Sequence, residues 1–400
     1  PSMSFFLFFA FWLSLIALAH WYVGRRVINA ATLQGVQRRV AWLVVAAIFL
    51  VPQIPFFLFI NGVQSTLVDV LSWAGYVVLG FFSLALTFFV LRDLVILVSR
   101  GIMKLHSSPN VGLSTPAYNV DRRRFILHSS NIGIIGFAAA ATGYGLTEAR
   151  RRATIERVEV PLHNLPDEFD GFRIVQFTDL HVGPTIKREF VEGIAEQVQG
   201  LKGDLIAFTG DLADGSVAWL RDDVTPLREL SAPHGKFFVT GNHEYYSGAE
   251  PWVKETGRLG FDVLVNEYRL LTQGNSSIVL AGITDYSGGD FIPSHKSDPT
   301  AALASAPDGC TRILLAHQPR SIYAAKETAI DLQLSGHTHG GQFFPWNHLA
   351  TLNQPYIKGL HRHENTWIYV SRGTGYWGPP LRMGVPPEIT VITLRRTWPF

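Results

Sequence analysis

The stretch Leu334–Gln342 reads LSGHTHGGQ and sets two histidines, His337 and His339, one residue apart. Ahead of it, Ile330, Leu332 and Leu334 alternate with Asp331 and Gln333, the pattern of a strand. A strand that stops in glycine leaves its last side chains over an open edge. Gly336, Gly340 and Gly341 let the backbone turn tightly around the two imidazoles, and each ring can then offer a nitrogen to a metal ion. A His-x-His pair also occurs on ordinary exposed strands, so its weight depends on what the rest of the chain brings to it.

Four earlier apolar runs end in the same kind of turn. Phe172–Phe177 leads into Thr178-Asp179-Leu180-His181, and Leu205–Phe208 into Thr209-Gly210-Asp211. Phe237–Val239 leads into Thr240-Gly241-Asn242-His243-Glu244, and Ile313–Leu315 into Ala316-His317-Gln318-Pro319. With helical stretches expected at Arg188–Val198 and Ala324–Thr328, the pattern predicts an α/β domain. Its candidate ligands converge at the carboxyl edge of a sheet. Taken singly, each has a bland explanation: a strand-end Asp is commonly a turn or N-cap residue, and a His after a buried strand is often a hydrogen-bonded core residue. The order D-x-H, G-D, G-N-H-E, H, G-H-x-H is five matches deep over some 160 residues, which unrelated turns do not explain. The other nine histidines, His361 and His363 among them, lack this context.

Charge divides the chain in two. Residues 1–152 carry 13 Lys+Arg against 4 Asp+Glu, a net of +9, while the remainder carries 21 against 28, a net of −7. The first part, 1–152, is dominated by apolar runs and reads as a transmembrane region; 153–400 has soluble composition. A single cysteine, Cys310, excludes an intramolecular disulfide and any cysteine-built metal site.

In the first part, residues 5–22 form a charge-free run long enough to span hydrocarbon. A second run, 40–60, is interrupted by Pro52 and Pro55, which are expected to kink it, and a third, 67–91, carries only Asp69. Arg25, Arg26, Arg38 and Arg39 follow the first run; Arg92, Arg100, Lys104 and Arg122–Arg124 follow the third; the connection between the second and third has no basic residue. By the positive-inside bias, both basic segments are cytoplasmic. Residues 125–146 make a fourth, softer apolar stretch behind Arg122-Arg123-Arg124-Phe125-Ile126. It reads either as a plain fourth helix or as similar to a twin-arginine export signal, and both cross outward. The expectation is a multi-pass protein of the bacterial inner membrane with its second part in the periplasm.

The ordered ligand set resembles the calcineurin-like metallophosphoesterase family, over roughly Ile155 to Leu394. The tail VSRGTGYWGPPLRMGVPPEITVITL is similar to its membrane-associated or twin-arginine-exported phosphodiesterases. The resemblance implies an α/β fold in which a helical transmembrane region precedes a two-sheet αββα sandwich. Carried over by position, Asp179, His181, Asp211 and His339 would hold one divalent ion. Asp211, Asn242, His317 and His337 would hold a second, with the Asp211 carboxylate bridging and His243 as the acid facing the substrate.

The donor types carry the chemistry further. Oxygen and imidazole ligands suit manganese first, and also zinc, iron or magnesium. Two such ions lower the pKa of a shared water and offset its repulsion from an anionic phosphate. By the same resemblance, a hydroxide bridging the metals would attack in line, and His243 would protonate the leaving alkoxide. No serine nucleophile elbow, Cys–His pair or P-loop is present.

The loops expected to rim the site are Tyr245–Trp252, Asp285–Ser297 and Phe343–Tyr356. The last is unusually apolar, and Phe343, Phe344 and Trp346, with Arg382, are expected to touch lipid or substrate. The alternative for this loop is packing against the sheet. The substrate expected is a lipid-linked phosphodiester or pyrophosphate, with the bilayer as partner and no nucleic acid. A soluble nucleotide substrate, or a catalytically silent membrane receptor or scaffold, are the competing readings.

Overall fold

The computed structural model describes residues 3–106 and 120–397. The chain divides into two compact units at Tyr144/Gly145. That point lies ahead of the expected boundary at 152, because the end of the last long helix already belongs to the second unit. Ala149 is fully buried in its core beside Ala153.

The first unit is helical: α1 (Met3–Ala30), α2 (Gly35–Leu50), α3 (Gln53–Ile60), α4 (Thr66–His106) and α5 (Val120–Arg150). Gly35–Ile60, Thr66–His106 and Asp121–Arg150 are each long and apolar enough to cross a membrane, and α1 contains the expected 5–22 run. The helices outrun the charge-free stretches because charged side chains do not stop a helix. α4 continues through Arg92, Asp93 and Arg100, all tolerable in a helix, to His106. The second run does break at its prolines: α2 ends at Leu50 and Pro52 caps α3. Gly75 lets α4 approach that break, since a Cβ there would stand 3.0 Å from Pro52 Cα. The outer surface is apolar, with Leu43, Leu67, Val95 and Phe137 all exposed, which suits hydrocarbon. One group of charges is paired within the unit: Arg26 meets Asp93 at 2.6 Å, Tyr22 Oη donates to Asp93 at 2.7 Å, and Arg92 donates to Asn131 Oδ1 at 2.5 Å.

The second unit holds two six-stranded sheets. Its elements are β1 (Thr154–Leu162), β2 (Arg173–Phe177), α6 (Arg188–Gly200), β3 (Leu205–Phe208), α7 (Val217–Val224), β4 (Lys236–Phe238), α8 (Asn242–Ser247), α9 (Ala249–Arg258), β5 (Asp262–Val263), β6 (Glu267–Gln273) and β7 (Ser276–Gly282). They continue with α10 (Pro299–Leu303), β8 (Arg312–Leu315), α11 (Ile322–Ala325), β9 (Leu332–Ser335), α12 (Trp346–Leu349), β10 (Gly359–His363), β11 (Thr366–Val370) and β12 (Glu388–Arg396). One sheet runs β1-β12-β2-β3-β4-β5 and the other β10-β11-β9-β8-β7-β6. β2 to β5 are mutually parallel, as are β7, β8, β9 and β11.

Alternation along the strands explains the layers. Ile174, Leu205, Ala207, Ile313, Leu315, Leu332 and Leu334 belong to the core shared by the two sheets. Their neighbours Val175, Phe177, Ile206 and Phe208 pack with α6, α7 and α9 on one outer face. Leu314 and Ala316 pack with Ala302, Leu303 and Ala325 on the other. Strands buried on both faces read as continuous apolar runs, which is how they stand in the sequence. The result is the expected α/β sandwich of two sheets with helices outside. One expectation is corrected: the ligand-bearing strands do not share a sheet. β2, β3 and β4 lie in the first and β8 and β9 in the second. Alternation cannot tell which sheet a doubly buried strand joins, so this was not visible in the sequence.

Candidate metal centre

Each of the five turns follows the carboxyl end of its strand, and the two sheets bring all five together. Ring and carboxylate atoms of Asp179, His181 and His339 lie within 4.8 Å of one another, as do those of Asp211, His317 and His337 and those of His181, Asp211 and His243. Asp211 belongs to the last two of these, and its Oδ2 lies 3.0 Å from His317 Nε2 and 3.7 Å from the Nε2 of His181, which also belongs to the first. Asp179 Oδ1 lies 3.5 Å from His339 Nε2.

The backbone here is strained. Asp179, His181, Asp211, His337 and His339 all have positive φ, between 51° and 72°. Each such conformation costs a residue with a Cβ on the order of 1–2 kcal/mol, and it persists because the surroundings hold it. Asp179 N–H donates to Gly210 O at 3.0 Å and His337 N–H to the Asp179 carboxylate at 3.0 Å. Glu244 accepts from the amides of Gly241 at 2.6 Å, Asp211 at 3.0 Å and Leu212 at 2.7 Å. Burial and then the Asp211 charge push the Glu244 carboxyl up to about 8, against those amides. Gly210 and Gly336 are demanded by crowding. A Cβ on Gly210 would stand 2.7 Å from His317 Nδ1, and one on Gly336 would run into Asp179 and Thr178.

Second partners orient the rings. His317 Nδ1 donates to Thr209 O at 2.7 Å, which turns Nε2 towards Asp211. That Nε2 is buried and faces Asp211 without a hydrogen bond, and the buried Asn242 Oδ1, next to the amide of His243 that binds Asp211, has no partner either. His181 Nε2 and His339 Nε2 face each other at 3.0 Å. Lone pairs aimed at carboxylates and at one another are the arrangement that cations satisfy. The field agrees. Burial opposes charge on His317, yet Asp211 and Asp179 raise its pKa well above the ordinary value. Burial and Asp211 together push the Asp179 carboxyl up. The residues therefore fit two divalent ions that share Asp211.

His243 shares a carboxylate partner with the ligand His181. Its Nδ1 binds Asp214 Oδ1 at 2.6 Å, and the same oxygen lies 3.1 Å from His181 Nδ1. Burial lowers the His243 pKa, but Asp214 and Asp211 outweigh it and raise it to about 9. Asp214 itself is held well below the ordinary carboxylate range by His243 and His181 despite its burial. Sequence reasoning passed over Asp214. The signal was there in GDLADG, a second Asp one turn beyond the first.

Two further expectations are corrected. Arg382 is completely buried, so it contacts neither lipid nor substrate. Its guanidinium donates to the carbonyls of His339 at 3.2 Å, Arg372 at 2.7 Å, Gly373 at 3.2 Å and also Gly375, and it lies 3.1 Å from His339 Nδ1. It holds the turn that carries His339. Phe343 is 3% exposed and belongs to the interior, whereas Phe344 is half-buried and Trp346 exposed.

Comparison with known proteins agrees with this geometry. Residues 172–341 match the calcineurin-like phosphoesterase family model. The chain is 38% identical over 291 residues to an uncharacterized metallophosphoesterase of Helicobacter pylori, covering 70% of this chain and 75% of that one. It is 34% identical to the metallophosphoesterase YkuE of Bacillus subtilis, covering 70% and 99%. It is also 38% identical to a transmembrane protein with metallophosphoesterase domain of Danio rerio, covering 63% and 60%. Shared over most of the length of its bacterial relatives, these likenesses make the chain a member of the calcineurin-like phosphoesterase family, a metal-dependent phosphoester hydrolase.

Proposed function

We propose that this protein hydrolyses a phosphodiester or pyrophosphate bond of a lipid-linked substrate at the outer face of a bacterial inner membrane, with the catalytic unit in the periplasm and manganese as the resident ion. The observation that carries the lipid reading is the segment directly after His339. Beyond the buried Phe343 it turns outward as Trp346, Leu349 and Leu352, exposed by 45%, 47% and 81%. Three large apolar side chains at helical spacing, leading away from a metal ligand, suit hydrocarbon better than water. The apolar helices of the first unit and the basic residues between them support the membrane setting and its orientation.

The chain's own residues divide the work. Asp179, His181, Asp211 and His339 would hold one ion, and Asp211, Asn242, His317 and His337 the other. When bound, the pair supplies positive charge to the phosphoryl oxygens and an acidified water. Asp214 fixes His243 through Nδ1, so that Nε2 presents its proton to the departing oxygen. Glu244 and Arg382 hold the turns on which these side chains stand.

The test is a screen of bacterial lipid extracts with the full-length protein in detergent and manganese, wild type against His243→Ala. Release of a phosphorylated headgroup or a lipid alcohol by wild type alone supports the reading. Turnover of soluble nucleotides with no change in any lipid would overturn it.

A further inference from the structure

Around His243 the surface is aromatic. The Tyr246 ring stands 5.2 Å from the His243 ring and Trp377 5.7 Å from it, both edge to face, and Phe291 extends the wall 5.7 Å beyond Tyr246. These three are exposed by 57%, 56% and 50%. They come from three separate places in the chain: the helix after Asn242, the loop after β7 and the C-terminal segment. Large aromatic side chains gathered at one rim and left to solvent mark a place that binds something.

Geometry says what. His243 Nδ1 is taken by Asp214, so only Nε2 can meet a substrate. A general acid must lie within hydrogen-bond reach of the oxygen it protonates. Whatever leaves from that oxygen therefore lies beside the rings flanking His243. The backbone that carries Trp377 is fixed: its amide N–H donates to Gln342 Oε1 at 3.0 Å, and its carbonyl accepts from Gln342 Nε2 at 3.0 Å. Gln342 closes the turn that carries His339, so the rim and a metal ligand are tied to one short segment.

We propose that Tyr246, Phe291 and Trp377 form the leaving-group subsite, and that it takes an apolar alcohol. This rests on the phosphoesterase reading and gives it a direction. The oxygen of a water adds to phosphorus, and the bond from phosphorus to the apolar alcohol's oxygen breaks. The His243 Nε2 proton goes to that oxygen, and the water's proton passes to solvent, from which His243 is recharged. The apolar alcohol departs and the phosphate stays on the polar part of the substrate.

A diester with two alcohols of similar acidity, ethyl 2-(2-naphthyl)ethyl phosphate, tests this by internal competition. Manganese-loaded wild type should release naphthylethanol over ethanol by about tenfold, the scale of one or two aromatic contacts. Trp377→Ala and Phe291→Ala should each bring the ratio towards one. A product ratio does not depend on how much of a variant is folded. Equal release by wild type, or preferential release of ethanol, would overturn the subsite. If wild type cleaves neither bond, the phosphoesterase reading fails, and calorimetry with the same diester against diethyl phosphate decides the subsite. Tighter binding of the naphthyl ester by wild type, lost in Trp377→Ala, keeps it; equal affinities overturn it.

Discussion

Asp214 and His243 are joined by a 2.6 Å bond from ring Nδ1 to Oδ1, and the same carboxylate oxygen reaches His181 Nδ1 at 3.1 Å. One partly buried acid thus orients both the proton donor and a metal ligand. Asp214→Asn keeps the shape but removes the charge. At saturating manganese its turnover on alkyl esters should fall by about 10²-fold or more, and less on nitrophenyl esters, whose leaving groups need no proton. Its metal affinity should weaken by roughly 10- to 100-fold, as when a ligand loses its orienting partner. An equal loss on both esters would contradict the orienting role.

The same contact predicts a pH dependence of stability in metal-free protein. His243 has its pKa raised from 6.5 to about 9 in the fold, the charges of Asp214 and Asp211 overcoming burial. A raised imidazole pKa stabilises fully below the unfolded value and ceases to do so as pH climbs through the folded one. With EDTA present, the advantage of wild type over His243→Gln in Tm should be largest below pH 6.5 and vanish above pH 9. A constant difference from pH 6 to pH 10 would refute it.

Asp211 lies between the two ligand groups, 3.7 Å from His181 Nε2 and 3.0 Å from His317 Nε2. Asp211→Asn removes the negative charge from between two cations, so both should be lost together. Elemental analysis of the purified variant is the check, and two full equivalents of metal would sink the assignment.

These residues were legible because each directly follows an apolar run that forms a strand, and Gly210, Gly241 and Gly336 mark three of the five turns. Asp179, Asp211, Asn242, His317 and His337 stand where the sequence placed them, and the structure adds that they hang from two sheets. The residues around them were harder. Arg382 looks like a surface cation until Gly373 and Gly375 fold their carbonyls onto it, a burial made by a loop with no periodicity of its own. Phe343 and Trp346 are near neighbours in one apolar run, and nothing local says which of them turns inward.

Arg382 donates to the carbonyls of His339, Arg372, Gly373 and Gly375 from a fully buried position. Burial lowers its pKa to about 9, though Asp179 and Glu388 oppose that. Arg382→Met fills much of the volume but leaves those carbonyls unpaired, a loss of about 3 kcal/mol. In a unit of this size that is a fall in Tm of roughly 6–12 °C. An unchanged Tm would show that the guanidinium is not what holds the turn.

The apolar segment after His339 divides into an inner and an outer part, and the two should answer differently to the same change. Phe343 is 3% exposed, so Phe343→Ser should leave a hole and cost about 3 kcal/mol or more. Trp346 and Leu352 are exposed by 45% and 81%. Trp346→Ser with Leu352→Ser should therefore leave Tm of the full-length protein within about 2 °C, since surface changes away from special features move stability little. If the outer part meets lipid, the double variant should lose activity on lipid substrates in mixed micelles and keep activity on a small soluble diester. A large fall in Tm, with both activities falling together, would mean that Trp346 and Leu352 pack against protein in solution. Equal retention of both activities would instead remove this segment from substrate contact and leave the lipid reading without its main support.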